Sequence, residues 1–207
     1  TQAIIRIQNG VCRMPKWRMA EPVNFETLDG EHVAIVGPNG GGKSMLADII
    51  VGRHPLLMHD PEYNFSPSTK KLVSDNIKYI TFRDTYGGDN DKTYYLQQRW
   101  NQMEIDPETP TVGQILDRLG ARDGFRGSEE MLSVFGLEEM RDKYIISLSS
   151  GELRKFLLVK QLLGLPELLV IESPYIGLDN GTRNQLNRLF ETLINDAGLT
   201  LLLVLSR

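Results

Sequence analysis

Apolar residues fall into short runs along this chain, and two spacings alternate. Ala3 to Ile7, Val33 to Val36, Ile77 to Phe82, Leu168 to Ile171 and Leu199 to Leu205 are compact apolar runs that predict strands. Met45 to Ile50, Val112 to Leu119, Glu129 to Val134, Leu153 to Leu163 and Thr182 to Asp196 carry apolar residues at helical spacing. The order divides the chain into three parts: strands up to about Arg83, helical texture from about Gln98 to Gly164, then a return to alternating strand and helix. Strands alternating with helices predict an α/β fold with a mainly parallel sheet. No internal repeat is visible. The stretch DTYGGDNDK, Asp84 to Lys92, reads as an exposed loop; its carboxylates fit no EF-hand spacing, which favours a solvated turn over a calcium loop.

Composition narrows the class. At 207 residues the chain suffices for one large domain, or a domain with an inserted lobe, around a buried core. A net charge of −4 with both signs interspersed contains no basic tract, so no nucleic-acid partner is expected. The single cysteine, Cys12, rules out an internal disulfide and suits a reducing compartment, hence a cytoplasmic location. No apolar run approaches the roughly 18 residues that cross a bilayer, and Leu199 to Leu205, interrupted by Thr200, reads as a buried strand. No signal peptide is visible. The chain starts at Thr1 without Met and stops at or just after its last predicted strand, which gives both ends the look of a fragment of a longer protein.

The sharpest chemical signal is GPNGGGKS, Gly37, Pro38, Asn39, Gly40, Gly41, Gly42, Lys43 and Ser44, directly behind the run Val33 to Val36. Glycine, four residues and Gly-Lys-Ser is the spacing of a phosphate-binding loop. Glycines let backbone N–H groups converge on one anion, the following helix adds its positive end, the lysine reaches the β- and γ-phosphates, and the serine hydroxyl can ligate Mg²⁺. A chance match in a chain of this length has odds of roughly one in a hundred, and the strand before and helix after lower them further. A second signal, Leu148-Ser149-Ser150-Gly151-Glu152, opens the helix Leu153 to Leu163. Alone it reads equally well as an ordinary capped helix start. The third is the apolar strand Leu-Leu-Val-Ile ending in Glu172-Ser173-Pro174, followed by Ile176-Gly177-Leu178-Asp179. A carboxylate at the end of a strand beside a phosphate loop suits an acid that holds Mg²⁺.

Taken in order, these motifs resemble the nucleotide-binding domain of ABC-type ATPases over nearly the whole chain. GPNGGGKS resembles that family's Walker A, LSSGE its signature, LLVIESP its Walker B and IGLD its D-loop. The resemblance implies a P-loop NTPase fold of the ABC type, a mainly parallel sheet core with a β-rich edge and an inserted helical subdomain, divided as 1–97 with 165–207 for the ATP-binding core and 98–164 for the helical signature part. It implies ATP and Mg²⁺ as ligands. It also implies a second such domain, fused or in a homodimer, paired head to tail so that the signature residues Ser149, Ser150, Gly151 and Glu152 close the partner's ATP. Further implied roles are Asp179 for the D-loop, Gln98 in preference to Gln97 on Mg²⁺ with Ser44 and Glu172, and Trp17 stacked on adenine. For Trp17, an edge-strand tryptophan covering the core is the equal alternative.

The departures from the family pattern matter as much. Its Walker B ends Asp-Glu-Pro, the Asp serving the metal and the Glu polarising water. Pro174 and Asp179 set the alignment, so Glu172 takes the metal place and Ser173 stands where the general base belongs. A neutral serine cannot take a proton from water as a carboxylate does, and losing a general base costs on the order of 10²- to 10⁴-fold in rate. Ser206-Arg207 falls in the region of the family's switch histidine, and Arg207 is a candidate replacement; the alternative is that the switch position lies just after the given residues. His32, His54 and His59 form no ligand pair at helical spacing, so surface or loop roles are expected of them in place of metal binding.

Three uses of such a domain follow: an ATPase domain with a slow site of its own, a nucleotide-gated clamp without turnover, or the ATP-binding subunit of a membrane transporter, for molybdate or another anion, docked on a permease at the inner face of the membrane. The Glu-ending signature, the Ser173 substitution and the fragment-like ends lean toward a fused, asymmetric pair. GRHPLL and TYYLQQRWN are similar to stretches of tandem ATP-binding proteins of the ModF/PhrA type, named for molybdenum transport and photorepair. DNA-clamp ATPases fit less well because no long coiled-coil insertion precedes LSSGE. Translation factors of the superfamily share the Glu-ending signature but keep the catalytic glutamate.

Overall fold

The computed structural model describes residues 2–82, 110–120, 129, 132–133, 137–195 and 198–206. The chain divides into two compact units, one of Thr1–Thr81, Pro166–Pro174 and Leu193–Arg207, the other of Phe82–Leu165 and Tyr175–Thr192.

The first unit contains two sheets. Strands β1 (Ala3–Gly10), β2 (Val23–Leu28) and β4 (Glu62–Tyr63) pair antiparallel in the order β2-β1-β4. Strands β3 (Val33–Gly37), β5 (Ile77–Thr81), β6 (Leu168–Glu172) and β7 (Thr200–Ser206) form a parallel sheet in the order β3-β7-β6-β5. Its central strand β6 is buried at every position, as expected of a parallel strand covered on both faces, and this is why LLVI carries no alternation. Helix α1 (Lys43–Ile50) follows β3, and the short α2 (Val73–Asn76) precedes β5. Ile4, Ile5 and Ile7 of β1, Ala47, Ile49 and Ile50 of α1, Leu168 and Val170 of β6, and Leu202 and Val204 of β7 belong to one core cluster. Each of the leucine, isoleucine and valine side chains contributes about 1.5–3 kcal/mol by leaving water, so α1 and the phosphate loop before it stand on a rigid base.

Strand β2 is absent from the sequence-based expectation. Its buried positions are Val23 and Thr27, and a threonine only 1% exposed sits where an apolar residue would have revealed the alternation. The turn after it is fastened to β7: Gly30 N donates to Thr200 Oγ1 at 2.9 Å, and Leu201 N donates to His32 Nδ1 at 3.1 Å. His32 therefore closes a loop, in line with the role expected of it.

The second unit contains helices α3 (Val112–Gly120), α4 (Ser150–Leu162) and the greater part of α5 (Asn180–Asn195), with 3-10 turns at Glu138–Met140 and Ile145–Ser147. Each helix starts where a side chain can cap it. Thr111 Oγ1 accepts from Gln114 N at 3.2 Å while Gln114 Oε1 accepts from Thr111 N at 3.0 Å, a reciprocal box that starts α3. Ser149 and Glu152 form the same box for α4, which consequently begins three residues before the apolar periodicity does. Asp179 Oδ1 accepts from Thr182 N at 2.7 Å, so α5 begins at Asn180 and not at Thr182. Among the described residues no helix is long and apolar enough to cross a membrane.

Candidate functional site

The parallel registers place functional residues at one edge of the sheet. Gly37 pairs with Ser206, Val204 with Glu172, and Glu172 with Thr81, so the carboxyl ends of β3, β7, β6 and β5 lie side by side. Ligands of open parallel sheets bind outside these strand ends.

Gly37 ends β3, and the loop through Pro38, Asn39, Gly40, Gly41 and Gly42 leads into α1. Gly40 and Gly42 hold φ of 78° and 87°, a region that side-chain-bearing residues enter only at a cost. Gly41 N closes the turn on Pro38 O at 3.1 Å. The cap residue Gly42 offers α1 no side-chain acceptor, and its first turn carries no acidic residue of its own, so the N–H groups of the helix start are left for an anion. Lys43 Nζ donates to Pro38 O at 2.6 Å, which holds the ammonium over the loop.

Ser44 Oγ donates to Glu172 Oε1, and the hydroxyl of Tyr79 on β5 donates to Glu172 Oε2. Glu172 is 4% exposed. Burial raises the Tyr79 phenol well above the ordinary range, and the bond to Glu172 adds to the rise, so the phenol stays a donor at neutral pH. Behind Tyr79 lies Arg53, its guanidinium carbon 4.5 Å from the ring centroid, and Arg53 Nη1 bonds Asp48 Oδ1 at 3.0 Å. A hydroxyl and one carboxylate, both hard oxygen donors, fit a Mg²⁺ ion that takes its remaining ligands from phosphate and water. The residue after Glu172, Ser173, holds φ of 54° while its N–H donates to Val204 O at 2.9 Å.

Trp17 lies in a 3-10 turn, Pro15–Trp17, and not in an edge strand. Its ring stacks on His54, with centroids 4.6 Å apart and planes 14° from parallel, and Lys16 Nζ lies 5.0 Å from the ring centroid. His54 Nε2 is buried without a hydrogen bond and lies 3.9 Å from Asp48 Oδ2.

In the second unit, the signature residues are built into a helix start. The Ser149 hydroxyl accepts from Glu152 N at 3.2 Å, Glu152 Oε1 accepts from Ser149 N at 3.1 Å, and Glu152 Oε2 pairs with Lys143. The hydrogen bond from Lys143 holds the Glu152 carboxyl below its ordinary range. A Cβ on Gly151 would lie 2.6 Å from Thr182 Cγ2, so only glycine fits there without movement. Ser150 is the first residue of α4. Arg154, one turn on, donates to Ile176 O and lies 5.5 Å from the Phe82 ring centroid. Its burial lowers the guanidinium pKa. Asp179 is the cap of α5, and the backbone N–H of Thr182 holds its carboxyl below the usual range.

The structure thus brings Ser44 and Glu172 together beside the glycine loop. Gln97, Gln98 and Arg207 lie outside the described residues. Sequence reasoning passed over Tyr79, Arg53, Asp48, Arg154 and Thr182. Only Tyr79 had a local signal, a polar-tipped aromatic within a predicted apolar strand.

Comparison with known proteins agrees with the motif order. A family model described as ABC transporter matches residues 20–175, more than half of the chain. The ABC transporter ATP-binding protein ModF of Escherichia coli K12 is 30% identical over 98% of this chain and 39% of its own length. A zinc import ATP-binding protein, ZnuC of Ruegeria sp. TM1040, is 28% identical over 85% of this chain and 60% of its own length. The chain therefore spans about two fifths to three fifths of these relatives. Among solved structures, cbiO1 from Clostridium perfringens, part of the ABC transporter complex cbiONQ, superimposes with a TM-score of 0.76 at 18% identity, covering 100% of this chain and 80% of that one. Together with the phosphate loop and the buried acid at its side, these matches identify the chain as a member of the ABC transporter family, an ATP-binding domain of the P-loop α/β fold.

Proposed function

We propose that this domain binds Mg-ATP at Gly37 to Ser44 with Glu172 beside the metal, and that Ser173 leaves it slow to hydrolyse that ATP itself. The observation that carries the reading is the bond between Ser44 and the buried Glu172 beside two left-handed glycines. Phosphate oxygens meet the loop N–H groups, the end of α1 and Lys43; Trp17 takes the adenine ring. Bound Mg²⁺ neutralises the charge that develops on the phosphates. Glu172, with Ser44 and Gln98 in preference to Gln97, orients it, while Ser173 supplies no base for the attacking water. Arg207 stands in for the switch histidine.

ATP held here is closed by Ser149, Ser150 and Gly151 of a second such domain arranged head to tail, and the signature of this domain closes the partner's site in return. Residues 1–97 and 165–207 form the ATP-binding core and 98–164 the signature subdomain. The likeness to ModF, of which this chain spans 39%, favours a partner fused in the same polypeptide. A second reading, favoured by the zinc import protein and by cbiO1, is a transporter subunit working in the cytoplasm against a membrane permease.

The test is steady-state ATP turnover of the full-length protein before and after Ser173→Glu. A rise of at least about tenfold is expected from restoring a base. An unchanged rate sinks the assignment of Ser173 as the limiting residue.

A further inference from the structure

We propose that Tyr79 is a positioning residue for Glu172, and through it for the divalent cation that accompanies the nucleotide, with Arg53 holding Tyr79 in place. The proposal rests on the reading of a Mg-ATP site given above. Tyr79 pairs in register with Val170, two residues before Glu172 on the parallel neighbour strand. Two strand residues advance about 6.6 Å, and a side chain leaning along its strand spans that gap only if it is as long as tyrosine. The hydroxyl arrives at Oε2 while Ser44 Oγ reaches Oε1, so donors from β5 and α1 hold the carboxylate from two directions.

The chain of contacts closes on itself. Tyr79 is backed by Arg53 at 4.5 Å, Arg53 bonds Asp48 at 3.0 Å, and Asp48 lies one turn after Ser44 on the same face of α1. Arg53 belongs to the Gly52-Arg53-His54-Pro55 stretch, to which the nucleotide site as drawn above gives no role. Within this ring the carboxylate already has its orientation before any cation arrives, so binding does not have to order it. Outer partners of metal-associated carboxylates are typically worth about 10- to 100-fold in metal affinity.

The experiment is titration of a fluorescent ATP analogue into the full-length protein, in EDTA and at rising Mg²⁺, for the parent, Tyr79→Phe and Arg53→Ala. Phenylalanine keeps the ring and its contact with Arg53 and removes only the hydroxyl. Expected for Tyr79→Phe is a half-saturating Mg²⁺ concentration raised about tenfold or more, with affinity in EDTA unmoved and the protein still folded at the assay temperature. Arg53→Ala should raise it about two- to fivefold. An unchanged Mg²⁺ requirement in Tyr79→Phe overturns the proposal, as does an affinity loss of equal size with and without Mg²⁺, which marks a packing role. A parent whose affinity does not respond to Mg²⁺ overturns the underlying site reading instead, and this proposal with it.

Discussion

Gly151 in the signature and Thr182 in the first turn of α5 are packed so closely that a Cβ on the glycine would lie 2.6 Å from Thr182 Cγ2. The contact joins the start of α4 to the start of α5, two helix ends whose caps, Ser149 and Asp179, are both motif residues.

Gly151→Ala should accordingly destabilise the protein, although alanine favours helix. Overpacking costs about 1–3 kcal/mol and the propensity gain returns about 1 kcal/mol, leaving a loss of roughly 1 kcal/mol. Thr182→Ser removes the offending methyl and keeps the backbone bond to Asp179, so the double variant should recover the parent stability or exceed it. A double-mutant cycle in urea reads the coupling; additive effects would show that the two residues do not clash.

Lys43→Ala removes a charged donor fastened to the phosphate loop. A hydrogen bond to a charged group contributes about 1.5–3 kcal/mol, which corresponds to roughly 10- to 100-fold in the dissociation constant for ATP. Isothermal titration with the nucleotide measures it, and a near-normal affinity would count against the loop as the triphosphate site.

Ser173 holds φ of 54°, and a left-handed conformation costs a residue with a Cβ about 1–2 kcal/mol. Ser173→Gly should therefore raise the unfolding free energy by about 1 kcal/mol, in contrast to the usual loss on introducing glycine. Denaturant melts decide this; a loss of stability would mean that the serine side chain contributes more than its backbone strain costs.

Glu152 gives a pH dependence. Its folded pKa lies below the unfolded value near 4.5, first because of Lys143 and then because of the bonds from Ser149. A depressed carboxyl contributes stability that is complete above pH 4.5 and is lost as pH falls through the folded value. Glu152→Gln keeps an acceptor for the capping box and removes the ion pair. Unfolding curves collected from neutral pH downward should show a shallower acid slope for this variant; parallel slopes would assign the acid sensitivity to other carboxyls.

Much of this molecule could be read locally. The phosphate loop is a contiguous spacing of glycines with Lys43 and Ser44, the buried strand β6 is an unbroken apolar run, and the Ser149 to Glu152 motif reads as a capped helix start. For features of this kind the causes and the consequences share one stretch of chain, so residue type and spacing were enough. The antiparallel sheet was harder, because β4 is two residues long and β2 buries a threonine.

What tertiary structure alone decided are the meetings across sequence distance. Tyr79 reaches Glu172 because β5 and β6 are parallel neighbours in one register, and a shift by a single residue would turn the phenol to the other face. Arg53 backs Tyr79, and His54 stacks on Trp17, only once the core has fixed α1 and the turn behind it. The left-handed backbone of Ser173 belongs to the same class, since its N–H is held by Val204 on β7. Strand order and register are set by burial summed over the whole core, and no window of the sequence contains that sum.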